Sequence, residues 1–424
     1  MFRSAFEQGA RRLKILVVHQ YYLMPGQFGG SRFNEMSRLW SEQGHEVTVI
    51  AGTVDHGTGQ KPERYRGRWK VTELDGAVTV HRCYVPSSYG KSYVGRMWAF
   101  FGFTLSASTA GFFAKRPDVV IGTSPPLVAV IPAWIAARWR ARRVPWIFEM
   151  RDLWPESAVT TGVIGANSPL TKILYALEKW GCRRATKINV LTPAFEEDLV
   201  KRRLAPREKI VFVPNGADID NFVPGPRDNG ARREFGWGER FVAMYAGAHS
   251  RANAVGQLIE AAVLLRDRPD ILIACVGDGP ERVRLEADAK ARGLENIAFY
   301  GAQAKSRMPE IVNASDLGMA VLQNNPTFRT VYPNKVFDYM SCARPVLLAI
   351  DGVARDLVCG QADAGVFAEP ENGREIADQI ARLSGDPAEC ARLGRNGREW
   401  VLANASRDSL AARYLEIMRD LVTA

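Results

Sequence analysis

Short, continuously apolar segments recur along this chain, and most of them are followed by a turn and a helix-like segment. The first is ILVV at residues 15–18, and the loop after it contains Gly26, Gly29 and Gly30. A strand that is apolar at every position is typical of a parallel sheet, because helices cover both faces of such a sheet. Strands that alternate with helices in this way predict an α/β fold.

The alternating pattern occurs twice. The first set of strands and helices ends near residue 213 and the second begins near residue 241. The segment 214–226 between them contains Pro-Asn-Gly and Pro-Gly-Pro, which interrupt regular structure. We therefore predict two doubly wound, Rossmann-like domains that face a cleft. The predicted parts are 1–218, 219–395 and C-terminal helices at 396–424 that return toward the first domain.

Composition and motifs disfavour several classes of protein. The six cysteines form no C-x-x-C pair and there are five histidines, which argues against a zinc site or a disulfide scaffold and is typical of the reducing cytosol. No G-x-G-x-x-G follows the first strand and no G-x-x-x-x-G-K-[ST] occurs, which disfavours nicotinamide dehydrogenases and P-loop ATPases. Residues 1–12 carry no evident secretory signal, so we expect a cytoplasmic protein. We also expect no metal and no cofactor, in keeping with the cysteine and histidine pattern.

Charge is unevenly distributed between the two halves of the chain. Residues 1–218 contain 31 Lys and Arg against 18 Asp and Glu, a balance of +13, whereas residues 219–424 have a balance of −3. The basic first half indicates an anionic partner, such as nucleic acid, an acidic membrane surface or a phosphorylated substrate. No nucleic-acid-binding module is recognisable, so we expect no nucleic acid partner.

The uncharged segment 97–114 has the length of a short membrane span, but its glycines, serines and threonines give it only moderate hydropathy. Basic and aromatic residues precede it, and such residues beside an apolar helix favour a membrane interface. Three interpretations stay open: a core helix under a charged loop, a helix docked on the membrane surface, or a span. The predicted membrane and acceptor residues are Arg66, Arg68, Trp69, Tyr93, Trp98 and Phe101.

The segment 331–345 (VYPNKVFDYMSCARP) combines a turn, a helix start and two opposite charges. A helix N-terminus carries unpaired N–H groups and a partial positive charge, so a helix that starts at Asn334, with Lys335 in its first turn, suits an anion. Asp338, one turn later, can accept hydrogen bonds from a vicinal diol such as that of a ribose. These residues predict a socket for a nucleotide diphosphate. The alternative is an ordinary helix with a surface Lys–Asp pair.

Glycine turns after strands indicate the same kind of ligand, because ligands of such folds bind at the carboxyl ends of the strands. The amides of Gly29 and Gly30 could bind a phosphate or a sugar. Gly247 and the segment 277–279 (Gly-Asp-Gly) follow two strands of the second half. The alternative for the latter is a plain turn that starts a helix with a proline.

Several segments, in this order, resemble the family 4 retaining glycosyltransferases of the GT-B fold, and the resemblance spans roughly residues 14 to 420. The matching segments are Gly29-Gly30-Ser31, FEMRDLWPES at 148–157, VPNGAD at 213–218, Tyr245-Ala246-Gly247, VGDGP at 276–280 and PNKVFDYMSCARPV at 333–346. The resemblance implies a nucleotide-diphosphate sugar held mainly by the C-terminal domain and an acceptor bound by the N-terminal domain. It also implies transfer that retains the anomeric configuration without a metal.

The resemblance also suggests roles for single residues. Asp338 stands where the family places the second glutamate of its E-x7-E motif, which binds the ribose hydroxyls, and Lys335 is placed for the diphosphate. The first glutamate of that motif contacts the donor sugar and is Thr330 here, which suggests a different sugar, such as an N-acetylated or deoxy one. The family's Arg and Lys after the first C-terminal strand are Ala248 and Asn253 in this chain, and Arg251 is a candidate substitute.

Arg151, beside Asp152, stands where the family has an N-terminal-domain histidine. A fixed cation there suits a phosphate or sugar group, and the alternative is a buried Arg–Asp pair or a helix cap. The predicted catalytic residues are Arg151, Asp152 and Lys335. The predicted donor-binding residues are Gly29, Gly30, Gly247, Arg251, Gly277, Asp278, Gly279, Thr330, Asn334, Lys335 and Asp338.

We therefore expect a hexosyltransferase that uses a UDP-linked donor and a lipid-diphosphate-linked acceptor in surface polysaccharide or glycan biosynthesis, peripherally attached to the inner face of the cell membrane. One alternative is a sugar-nucleotide 2-epimerase of the same fold, against which the scarcity of histidines counts. The other is a catalytically inactive, transferase-like partner subunit, which the missing glutamate at position 330 favours.

Overall fold

The computed structural model describes residues 11–25, 27, 32–55, 59–87, 93–138, 143–162 and 164–423, and for residues 93, 94 and 96 it describes the backbone alone. The chain divides into two compact units. The first contains the described residues up to Leu191, Glu196–Val213 and those from Leu410 onward, and the second contains Thr192–Phe195 and Pro214–Ser409. This division falls slightly before the predicted boundary at 218, and residues 396–409 belong to the second unit.

The first unit is built around one sheet. Its strands are β1 (Lys14–Val18), β2 (Glu46–Gly52), β3 (Lys70–Asp75), β4 (Val78–Cys83), β5 (Val119–Ser124), β6 (Trp146–Met150), β7 (Lys187–Val190) and β8 (Ile210–Phe212). Its helices are α1 (Arg32–Glu42), α2 (Tyr93–Phe113), α3 (Val130–Ala137), α4 (Glu156–Thr160), α5 (Pro169–Arg184) and most of α6 (Pro193–Lys201). The described strands lie in the order β3-β4-β2-β1-β5-β6-β7-β8.

Strand β1 lies in the middle of this sheet, parallel to both neighbours. Leu16 is opposite Thr48 on β2 and Val120 on β5. The chain first moves outward from β1 to β2 and later returns to the other side at β5. The carboxyl ends of β1 and β5 therefore form a topological switch point, which is where α/β sheets bind ligands.

The second unit repeats this logic. Its strands are β9 (Phe241–Ala246), β10 (Ile271–Val276), β11 (Ile297–Phe299), β12 (Leu317–Val321), β13 (Val346–Ala349) and β14 (Gly365–Phe367), in the order β11-β10-β9-β12-β13-β14. Its helices are α7 (Gly230–Glu234), α8 (Gly256–Leu264), α9 (Arg282–Ala291), α10 (Met308–Ala314), α11 (Asn334–Ser341), α12 (Val353–Arg355), α13 (Gly373–Ser384) and α14 (Pro387–Asn404). The switch point of this sheet lies between β9 and β12.

The final helix, α15 (Arg407–Thr423), completes the core of the first unit from Leu410 onward. The indole Nε1 of Trp40 on α1 donates to the carbonyl of Ala411 at 2.9 Å, and the Trp40 ring lies 5.5 Å from that of Tyr414. Leu410 and Met418 are buried in the same cluster. The first unit therefore depends on a segment that follows the whole second unit in the chain.

Two α/β units with parallel sheets confirm the predicted fold class. The pairing of β3 with β4 is antiparallel, and the apolar pattern does not predict it. The reason is that β3 is an edge strand with mostly exposed side chains, so it lacks the continuous apolar run of a buried parallel strand.

Candidate functional site

Glycines bring two loops together at the carboxyl edge of the second sheet. The loop after β9 and the loop after β10 are joined by hydrogen bonds from Gly247 N to Val276 O and from His249 N to Asp278 O, both 2.9 Å. A Cβ on Gly277 would lie 1.9 Å from Gly247 O, and one on Gly279 would lie 2.5 Å from His249 O. These two glycines are required for the contact between the loops.

Helix α11 is fixed against the same edge by Tyr339. Its buried hydroxyl accepts from Ala246 N, the last residue of β9, at 2.9 Å and donates to Met319 O on β12 at 3.2 Å. Gly318 makes room for the ring, because a Cβ there would lie 2.3 Å from Tyr339 Cγ. The helix start is thereby positioned at the switch point.

Lys335, in the first turn of α11, points its ammonium at the end of β9. Lys335 Nζ lies 3.9 Å from the centre of the Tyr245 ring. A Cβ on Gly247 would lie 2.8 Å from Nζ, so the glycine leaves room for the lysine. Among the described residues, no carboxylate lies within 4.0 Å of Nζ. Burial without a counter-ion lowers the pKa of Lys335 to about 7.

The start of α11 has free capacity for an anion. No described side chain caps it, since the residue before the helix is Pro333, and the first amides of a helix have no partner within the helix. Asn334 is exposed and Asp338 is half-buried. The structure thus brings Asn334, Lys335, Gly247 and Asp338 to one edge of the second sheet.

Asp278 and Arg251 lie on exposed turns of the same unit. Asp278 accepts from Gly279 N at 2.7 Å and lies 3.7 Å from Arg282, so its carboxylate stabilises the turn. Arg251 begins a short 3-10 turn and is exposed. Nothing in the described residues ties its guanidinium to a carboxylate.

Thr330 ends a 3-10 turn that comes before α11. Its hydroxyl donates to Thr327 O at 2.6 Å, and its carbonyl accepts from the Thr192 hydroxyl at 2.7 Å. The Thr330 side chain is therefore short and neutral, and its hydroxyl proton is already donated to a carbonyl within the turn.

His249 is a residue of this edge that the sequence analysis missed. Its side chain is fully buried, stacked 5.9 Å from the Tyr245 ring, and neither ring nitrogen has a partner among the described residues. Burial, followed by the nearby Arg282, lowers the pKa of His249. A single histidine after a strand gives no signal in the sequence that separates it from an ordinary core residue.

In the first unit, Arg151 lies immediately after β6, the strand next to the switch point formed by β1 and β5. Its backbone N–H donates to Ser124 O at 3.0 Å, and its Nη1 lies 3.3 Å from His19 Nε2. Burial lowers the pKa of Arg151. His19, which directly follows β1, was also missed, because it reads in the sequence as the end of an apolar strand.

Asp152, the other predicted residue here, accepts from the Ser157 hydroxyl at 2.8 Å. Burial raises the pKa of Asp152, and the hydrogen bond from Ser157 opposes the rise. This contact ties the Asp152 carboxylate to a side chain in the first turn of α4, whereas no side chain caps a backbone amide of that helix. Among the described residues, Asp152 also lies more than 4.0 Å from the Arg151 guanidinium.

A buried ion pair between Glu149 on β6 and Arg32 on α1 stabilises the first sheet. Glu149 is fully buried and accepts from Arg32 Nε at 2.8 Å, from Asn189 Nδ2 at 2.7 Å and from the Tyr414 hydroxyl at 3.0 Å. Both carboxylate oxygens are satisfied, so the pair is a structural element of the sheet.

One side of α2 is exposed and aromatic. Trp98 and Phe101 are 57% and 58% exposed and stack 5.4 Å apart, and Leu105, Phe112 and Phe113 continue the exposed row. We call these five residues the α2 ridge. The opposite side, which contains Phe103, is buried, so one side of α2 belongs to the core and the other is exposed.

Of the remaining predicted membrane residues, Trp69 contacts α2, Arg66 and Arg68 precede it in the chain, and Tyr93 lacks a described side chain. Trp69 is about half exposed, and its Nε1 donates to Thr109 on α2 at 3.1 Å. Arg66 and Arg68 are exposed, and Arg66 pairs with Glu63 at 2.8 Å. The side chain of Tyr93 is not described, and Gly29 and Gly30 lie outside the described residues.

The described residues meet the requirements neither of a membrane-spanning helix nor of a metal site. None of their helices is both long and apolar enough to cross a bilayer. They also contain no group of three His, Cys, Asp or Glu side chains arranged to hold a metal ion.

Comparison with known proteins gives consistent results for sequence and fold. A glycosyl transferase 4-like domain matches residues 29–216, and the glycosyl transferases group 1 domain matches residues 229–400. The putative colanic acid biosynthesis glycosyl transferase WcaI of Escherichia coli K12 is 26% identical over 338 residues, which cover 78% of this chain and 81% of the relative.

Solved structures share the fold over nearly the whole chain. Sucrose-phosphate synthase from Thermosynechococcus elongatus matches with a TM-score of 0.73 at 17% identity, covering 97% of this chain and 100% of that one. Anabaena HepE in complex with UDP and glucose matches with a TM-score of 0.70 at 18% identity, covering 96% and 99%. The two family models lie on the two units described above, and this chain belongs to the family 4 glycosyltransferases of the GT-B fold.

Proposed function

We propose that this glycosyltransferase moves a sugar from a UDP-linked donor to a lipid-diphosphate-linked glycan in the biosynthesis of a surface polysaccharide, with retention of the anomeric configuration and without a metal. The UDP bound in HepE and the colanic acid pathway named for the Escherichia coli relative support the donor and the product class. The basic first half of the chain supports a phosphorylated acceptor.

The observation that carries the proposal is Lys335 at the uncapped start of α11, beside Gly247. When the sugar–phosphate bond breaks, negative charge develops on the leaving diphosphate. Donors that are already in place stabilise this charge more in the transition state than in the ground state. Lys335 and the first amides of α11 provide such donors without a counter-ion to displace.

Substitution of Lys335 tests this role. We expect Lys335→Met to lower the rate at which UDP is formed from a UDP-sugar by about 100-fold or more. The same variant should bind UDP more weakly in calorimetry. Lys290→Met is the matched control, because Lys290 is an exposed lysine on α9. Equal activity of both variants would contradict the proposal, and unchanged activity in EDTA is the result expected of a metal-independent enzyme.

Thr330 supports an N-acetylated or deoxy sugar rather than glucose. A carboxylate at this position could accept from sugar hydroxyls, whereas the Thr330 hydroxyl already donates to Thr327 O. We expect UDP-N-acetylglucosamine or a UDP-deoxy sugar to be hydrolysed faster than UDP-glucose, and Thr330→Glu to shift the preference toward UDP-glucose. A clear preference of the wild type for UDP-glucose would refute this assignment.

Membrane attachment is proposed through the α2 ridge. Exposed aromatic side chains suit the boundary between acyl chains and headgroups, and exposed arginines, here Arg66 and Arg68 just before Trp69 in the chain, suit anionic headgroups. We expect the protein to float with vesicles that contain phosphatidylglycerol, and the pair Trp98→Ser and Phe101→Ser to reduce this binding.

The matched control for the α2 ridge is Ile173→Ser, since Ile173 is 63% exposed on α5. Point substitutions are preferable to deletion of the helix, because the other side of α2 is part of the core. Flotation of the double variant at the wild-type level, or no flotation of the wild type, would argue against membrane attachment through α2.

A further inference from the structure

His19 joins two neighbours at the switch point of the first sheet. It follows β1 directly, and its ring Nδ1 lies 2.7 Å from the Thr123 hydroxyl on β5, while Nε2 lies 3.3 Å from Arg151 Nη1 after β6. His19 is 1% exposed and Thr123 is fully buried. Three strand ends are thus linked through one imidazole.

The guanidinium fixes the tautomer of this ring. Arginine has only donors, so Nε2 of His19 must offer its lone pair to Arg151. The neutral ring then carries its proton on Nδ1 and donates it to Thr123 Oγ1. The Thr123 hydroxyl can accept as well as donate, so it accommodates the form of His19 that Arg151 requires.

The carboxylates nearest to Arg151 in the chain are bound to other residues, so its side chain is held by the contact with His19. Asp152 accepts from Ser157, and Glu149 is held by Arg32. Within the described ranges, no carboxylate lies within 4.0 Å of the Arg151 guanidinium. Its remaining N–H donors are not occupied by an ion pair and are available to a ligand.

We propose that His19 is a positioning residue that holds the Arg151 guanidinium in place for the substrate. The backbone of Arg151 is held by Ser124 O on β5 and its side chain by His19 from β1, so the freedom of a long side chain is restricted before the ligand binds. This inference rests on the proposed function and on the role expected from the sequence for Arg151, a fixed cation that receives a phosphate or sugar group.

Three substitutions of His19 separate positioning from simple core packing. His19→Gln can still present an acceptor near the position of Nε2, His19→Asn reaches only the position of Nδ1, and His19→Leu removes both. We expect His19→Leu and His19→Asn to lower kcat/KM for transfer by about 10- to 100-fold, and His19→Gln to stay within about threefold of the wild type. If His19 only filled space in the core, the loss of activity would instead correlate with the change in side-chain volume and with the fall in melting temperature.

A double-mutant cycle tests the link to Arg151. The double variant His19→Leu with Arg151→Leu should be no less active than Arg151→Leu alone. Once the guanidinium has been removed, His19 no longer has a side chain to position. His81→Leu is the matched control, since His81 Nδ1 also lies 3.0 Å from a threonine hydroxyl, that of Thr72. Additive losses in the double variant would overturn the inference.

Nitrogen-15 NMR of the histidine rings tests it without activity. We expect the wild type to show the Nδ1–H tautomer for the signal that disappears in His19→Gln, and Thr123→Val to change that signal. An Nε2–H tautomer would overturn the inference whatever the reaction is. Full transfer activity of Arg151→Leu with the Nδ1–H tautomer present would instead refute the proposed role of Arg151 and, with it, the positioning role.

Discussion

The protonation of Lys335 is a property of a single residue with a measurable consequence. Its ammonium faces the Tyr245 ring, and burial lowers its pKa from an ordinary 10.5 to about 7. Near neutral pH this side chain is therefore only partly charged before a donor binds. A diphosphate favours the charged form, so donor binding and proton uptake are coupled.

We expect the affinity for a UDP-sugar to fall as the pH rises above about 7, by at most about tenfold per pH unit. The reason is that donor binding then requires protonation of Lys335. Calorimetric titration with UDP-N-acetylglucosamine between pH 6 and 9 measures this, and Lys335→Arg should remove the dependence. A wild-type affinity that stays constant over this range would contradict it.

In the absence of donor, the effect of pH on the stability of the fold is opposite to its effect on donor binding. Because the folded state has the lower pKa, it binds fewer protons than the unfolded chain between about pH 7 and 10.5, so this residue makes folding more favourable as the pH rises through that window. Lys335→Met should remove this part of the pH dependence in denaturant melts.

Ala343 provides a second prediction at the scale of a residue. It follows α11 with a φ of +53°, the left-handed region that favours glycine. We expect Ala343→Gly to stabilise the protein by about 1 kcal/mol, seen as a higher urea midpoint at an unchanged slope. Ala381→Gly, inside helix α13, is the control and should have the opposite sign. A lower midpoint for Ala343→Gly would contradict the strain argument.

At the scale of elements, the position of α11 depends on the space above Gly318. A Cβ there would lie 2.3 Å from the Tyr339 ring, whose hydroxyl holds α11 to β9 and β12. We expect Gly318→Ala to displace α11, lower the melting temperature and weaken UDP binding together. Gly360→Ala is the control, because nothing lies within 4 Å of a Cβ at that position. Unchanged UDP binding in Gly318→Ala would contradict this view of the helix.

The elements also show what a sequence can predict. The apolar runs of β1, β9 and β10 and the start of α11 are local signals, so both sheets and the helix that carries Lys335 could be predicted. The contact of Lys335 with Tyr245 joins residues far apart in the chain, and the contacts of His19 with Thr123 and Arg151 join three strands. Such contacts depend on strand order, which no local pattern contains.

At the scale of the whole molecule, the first unit is discontinuous. Its core includes Trp40 from α1 and Tyr414 from α15. We expect a fragment of residues 1–213 to lack cooperative thermal unfolding in near-ultraviolet circular dichroism, because Trp40 and its neighbours would be exposed. The same fragment joined to residues 405–424 by a flexible linker should regain it. A cooperative transition in the shorter fragment would contradict this dependence.

The dependence of the first unit on α15 has a consequence during synthesis. A ribosome releases residues 410–423 only after the whole of the second unit has emerged. The second sheet can therefore close while the first still lacks its last helix, and the order of completion is the reverse of the order of translation. Until residues 410–423 emerge, the nascent chain carries an open apolar surface around Trp40, of the kind on which chaperones act.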